Sequence, residues 1–73
     1  MSKTIYSTEY IKLLTKLKVA REKRGLTQGQ VAKLLNKPQS YISKIEVGER
    51  RIDIIELSHL ARIYKKPITT FIK

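Results

Sequence analysis

Seventy-three residues with no cysteine, 16 Lys and Arg against 6 Asp and Glu, and a formal charge of +10 make one small basic domain whose core, at 41% hydrophobic content, is modest. A disulfide scaffold is excluded, one histidine is too few for a metal site, and no cofactor is expected. Lys3 is followed by no apolar stretch and no apolar run approaches the ~18 residues of a membrane span, so the expectation is a cytoplasmic protein with no membrane role.

In chain order, Tyr10, Leu13, Leu14, Leu17 and Ala20 keep the three-and-four spacing of one helix stripe, with Ser7 or Thr8 as cap and an end near Arg24. Gly25 is placed to close that helix in a left-handed conformation, and Leu26 follows as a buried anchor. Lys12, Lys16, Lys18, Lys23 and Arg24 leave its outer side basic. Thr27 and Gln30 form a T-x-x-Q capping box that starts a second helix, with Val31, Ala32 and Leu35 on its buried face. Asn36 tolerates positive φ and serves as the turn residue, and Pro38 suits the first turn of a third helix over 39–47 that buries Ile42 and Ile45. Gly48 stops it. Asp53 and Glu56 make a D-x-x-E start for a fourth helix with Leu57, Leu60, Ala61 and Tyr64 on one face. Pro67 bounds that helix and opens a short fifth one, where Ile68, Phe71 and Ile72 add apolar surface. Apolar and polar residues nowhere alternate over a useful length, so the fold class is all-α.

Helices two and three are separated by about three residues. They must therefore cross steeply, with a small residue at the contact, and Ala32 fits it. So tight a turn projects the N-terminal half of the third helix from the body, where it can enter a groove. The positive charge supplies the matching expectation of a polyanion: nucleic acid ahead of a membrane surface, because the apolar stripes are narrow enough to be consumed by a core.

The segments "LKVAREKRGLTQGQVA", "SYISKIEVGERR" and "IELSHLARIYKKPITTF" together resemble the phage-repressor and Cro type of helix-turn-helix domain, the XRE family, from Leu17 to Phe71. Asn36 departs from the glycine usual in that turn. The resemblance implies a five-helix lambda-repressor-like domain, helices two and three forming the helix-turn-helix, and recognition of double-stranded DNA. It places Gln39 and Ser40 at the head of the reading helix, where a glutamine amide can pair with adenine N7 and N6. Gln28 is expected to contact a phosphate and brace Gln39, and Lys44 to share Gln39's exposed face. Tyr41 and Ser43 would reach DNA from the flanks, and Lys37, Arg50 and Arg51 would anchor phosphates. Arg21 and Glu46 match positions that the family uses for an ion pair joining the first and third helices. His59 has no partner in pattern and is expected at the surface or at the boundary of the core.

The leading functional expectation is a transcriptional regulator that occupies a palindromic operator as a homodimer, associated with the nucleoid, its dimer surface built from Ile55, Ile68 and Ile72. Phe71, in the same region, is the one assigned to the core. The alternative uses are the controller protein of a restriction and modification system or an antitoxin with a toxin as protein partner, although no toxin-binding tail is evident after Phe71. An enzyme is not expected. The chain has no cysteine, no glycine-rich phosphate loop and no acid pair clustered with its histidine.

Overall fold

The computed structural model describes residues 7–72, and Lys3 lies outside them. Ser7 starts the first helix: its hydroxyl accepts from the Tyr10 amide at 3.1 Å, and α1 runs Thr8–Lys23. Leu14, Leu17 and Ala20 of its stripe are buried, with Tyr10 and Leu13 half-buried against the same core. Gly25, at φ 71°, turns the chain out of the helix, and the Leu26 amide donates back to the Arg21 carbonyl at 3.2 Å.

The capping box at Thr27 forms as its residues require. The Thr27 hydroxyl accepts from the Gln30 amide at 3.1 Å, and the Gln30 side chain accepts from the Thr27 amide at 2.8 Å. The helix it opens, α2 (Gln28–Leu34), is only two turns long and is held by packing of Val31 and Ala32 rather than by its own propensity. Asn36 adopts φ 59° and makes the turn without a glycine, while the Lys37 amide donates back to the Ala32 carbonyl at 2.9 Å. The third helix, α3, spans Gln39–Glu46. Two details differ from the sequence expectation here. Pro38 precedes the helix as its N-cap residue and makes no side-chain cap bond, and Val47 is the C-cap residue, 68% exposed, rather than part of the helix.

The expected D-x-x-E start is also a complete capping box. Asp53 accepts from the Glu56 amide at 2.7 Å, Glu56 accepts from the Asp53 amide at 3.0 Å, and α4 covers Ile54–Tyr64. Leu57, Leu60, Ala61 and Tyr64 are all buried. A left-handed Lys65, φ 59°, ends α4, after which the turn at Pro67 leads into α5, Thr69–Ile72. Ile42 and Ile45 of α3 are, with Leu17, Val31 and Tyr64, the largest fully buried side chains of one hydrophobic core. The long α1 packs against α3, α4 and α5, while α2 packs chiefly against α3. Among the described residues the fold is all-α, five helices in the expected order. Leu35, expected on the buried face of α2, is half-buried at the edge of the core. None of the helices is long and apolar enough to cross a membrane.

Candidate nucleic-acid interface

The outward face of α3 is set by what its inward face must do. Ile42 and Ile45 are 1% exposed, so the spacing of the helix forces Gln39, Ser40 and Lys44 outward, and all three are exposed. With no side chain capping it, the first turn of α3 also leaves amides open beside Gln39 and Ser40.

The angle at which α3 is presented depends on a charged joint beneath it. Arg21 of α1 donates through Nε and Nη2 to the two Glu46 carboxylate oxygens at 2.7 and 3.1 Å, and through Nη1 to the Leu26 carbonyl at 2.8 Å. Both side chains are nearly buried, 9% and 4% exposed, so a flat two-pronged contact replaces the water each charge has lost. The hydrogen bond that Arg21 donates to Glu46 raises the Arg21 pKa more than burial lowers it. This is the ion pair expected between the first and third helices.

Gln28 extends the joint to the surface. Its Nε2 donates to Glu46 Oε1 at 2.9 Å, which orients its own Oε1 toward α3. Gln39 Nε2 approaches that oxygen at 3.5 Å, a long contact that steers the Gln39 amide without immobilising it. The four residues thus run in series from a buried arginine to the exposed head of α3.

The flank is organised around Tyr41, which is half-buried against the core. Lys37, before α3, sits with Nζ 5.3 Å from the ring centre, and the Arg50 guanidinium, after α3, lies 4.7 Å from it. Tyr41 is therefore a packed platform that gathers cations from both ends of the helix. Burial first, and then the neighbouring Glu56 carboxylate, push its phenol above the ordinary value. Arg50 donates from Nη1 and Nη2 to the two Glu56 oxygens at 3.1 and 2.9 Å. That guanidinium holds the Glu56 carboxyl down to about 2.

Ser43 is half-buried and its hydroxyl donates to the Ser40 carbonyl at 3.3 Å. Exposed Arg51 lies over the Tyr10 ring at 4.8 Å, and the Tyr10 hydroxyl accepts from the Ile52 amide at 3.2 Å, so α1 braces the loop after α3. Of the apolar residues expected at a dimer surface, Ile55 and Ile72 are 61% and 55% exposed, whereas Ile68 is half-buried against the core and Phe71 lies within it. His59 is exposed. Among the described residues no group of three or more His, Cys, Asp or Glu side chains is placed to hold a metal ion.

Glu56 is the site residue that sequence reasoning missed. Its D-x-x-E spacing signals a helix cap, and nothing in the spacing of Arg50 and Glu56 announces that they meet across a loop. A family described as helix-turn-helix matches residues 17–71, from the middle of α1 through α5. No curated protein matches the chain.

Proposed function

The chain belongs to the helix-turn-helix family of the Cro and repressor type, a DNA-binding family, and from that premise we propose that it is a sequence-specific regulator that inserts α3 into the major groove of an operator. The observation that carries this reading is the series Arg21, Glu46, Gln28, Gln39, which ties the head of an exposed helix to a buried anchor. An amide aimed in this way can offer a donor and an acceptor together to adenine, the pairing a major-groove reader needs. Ser40 and Lys44 extend the same face, while Lys37 and Arg51 supply cations for the phosphates on either side.

One reading helix spans only a few base pairs. We infer that two copies act together, their helices ~34 Å apart on a palindromic site, with Ile55 and Ile72 in the contact between them. The test is selection of bound sequences from random duplex DNA, followed by affinity measurements with Gln39→Ala. The variant should lose ~1 to 3 kcal/mol on the selected site and almost nothing on random duplex. Equal losses on both, or no enrichment of any sequence, would refute base reading by Gln39.

A further inference from the structure

Arg50 is bound in a way that leaves one part of it unused. Its five N–H donors form two two-donor edges of a rigid plane, with the fifth on the outer side of Nη1. The Nη1 and Nη2 edge is taken by the Glu56 carboxylate at 3.1 and 2.9 Å, and Nη1 also donates to the Arg51 carbonyl at 3.2 Å. Among the described residues nothing bonds to the Nε hydrogen or the second Nη2 hydrogen, which line the other edge as a two-donor fork of the size that accepts a phosphate. The guanidinium lies over the Tyr41 ring, 4.7 Å from its centre, and Glu56 is itself fixed by the Asp53 amide at 3.0 Å. Both the plane and its open edge are thereby oriented. With its side chain 41% exposed, Arg50 is accessible where α3 meets the flank, and Lys37 also lies over the Tyr41 ring.

The charge balance at this position is unusual for a phosphate anchor. An unpaired arginine attracts any phosphate, in any register. Arg50 and Glu56 together carry no net charge, so long-range attraction is cancelled and only a phosphate placed on the open edge gains the two hydrogen bonds. We propose that Glu56 is a specificity-determining residue, which suppresses binding of Arg50 to non-specific DNA while positioning its free edge for one phosphate of the correct register. The inference rests on the DNA-binding reading above and assigns a role to a residue which that reading does not use.

The experiment compares the salt dependence of binding to random duplex and to the selected operator for the full chain and for Glu56→Gln, which retains a helix-capping side chain but removes the charge. On random duplex the slope of log affinity against log salt should steepen by ~0.9, about an eightfold larger change for each tenfold change in salt. Binding to random duplex should tighten at low salt, and the ratio of operator to random affinity should fall. A folded Glu56→Gln protein with an unchanged slope overturns the proposal, because a merely structural ion pair would not move that quantity. Arg50→Gln combined with Glu56→Gln gives the second arm, because it removes both charges of the pair and leaves the net charge of the chain unchanged. It should weaken operator binding at an unchanged slope. A slope flattened by ~0.9 identifies Arg50 as an ordinary, uncompensated cation, and no change in either quantity places it away from the duplex, so each of these results overturns the proposal. Failure of the wild-type chain to bind any duplex in a salt-dependent way would overturn the DNA reading itself, a result distinct from a failure confined to these variants.

Discussion

Glu46→Ala removes the carboxylate on which Arg21 and Gln28 both converge. The variant leaves the Arg21 guanidinium, on a residue only 8% exposed, with the Leu26 carbonyl as its remaining hydrogen-bond partner in the joint. Breaking a buried pair from one side costs roughly 3 to 5 kcal/mol, most of it the uncompensated charge. A chain of 73 residues has about 4 to 11 kcal/mol of total stability, so the loss consumes a large fraction of it. At about 4 °C or more per kcal/mol for a domain of this size, the melting temperature should fall by at least ~12 °C. Urea melts of the two single variants, Glu46→Ala and Arg21→Ala, and of the double variant isolate the pair. The double variant should be distinctly more stable than the sum of the single losses implies, because it removes both charges together. A loss below ~1 kcal/mol for Glu46→Ala, or strict additivity in the cycle, would show that the joint is solvated and would refute the argument that it fixes α3.

Replacing Lys37 and Arg51 together with alanine should weaken specific and random binding alike and flatten the salt slope by about 1.8, two phosphate contacts at ~0.9 each; salt titrations with fluorescent duplex read this directly. Because Arg50 holds the Glu56 carboxyl down to about 2, that contact stabilises the fold fully above the unfolded carboxyl value near 4.5 and is lost as pH falls toward 2. Melting curves between pH 6 and pH 2 should therefore show the advantage of wild type over Glu56→Gln shrinking over that window, and an advantage independent of pH would contradict it. Ile72→Asp should leave a folded monomer with weakened operator binding, measured by light scattering and gel shift, since Ile72 is 55% exposed and its replacement leaves the core intact. A wild type that is monomeric at all concentrations on a non-palindromic site would remove the basis for that expectation.

The features legible in the sequence were those in which one residue type answers one local need. A threonine or aspartate three residues before a glutamine or glutamate satisfies orphan amides by contacts within a single turn, and both capping boxes formed. The spacing of Leu57, Leu60, Ala61 and Tyr64 marks one face of a helix, and all four residues are buried on it. Asn36 was legible for a similar reason, since its short side chain tolerates the left-handed turn. Lys65 was not. It adopts the same conformation at an expected cost of about 1 kcal/mol or more, held by the Lys66 amide bonding back to Ala61 at 3.0 Å, and nothing in a lysine's chemistry signals that.

Long charged side chains escape such reading for a different reason. Lys37, Arg50 and Arg51 were equivalent in sequence, three cations flanking a helix, because an arginine's reach makes its partner depend on the path of a loop rather than on spacing. The folded chain separates them. Arg51 lies over the Tyr10 ring on α1, while Lys37 and Arg50 each lie over the Tyr41 ring and Arg50 also engages Glu56 through two paired bonds. Arg21 and Glu46 became predictable only through the family resemblance, since they stand 25 positions apart with the whole of α2 between them. The same ambiguity applied to Ile55, Ile68 and Ile72. A single apolar residue near a short terminal helix can face the core or solvent, and only the turn from Pro67 into α5 decides that Phe71 and Ile68 fold inward while Ile72 is left outside. Side chains whose partners lie across loops acquire their roles from tertiary geometry, and in this domain those are the residues that orient α3 and set the charge around it.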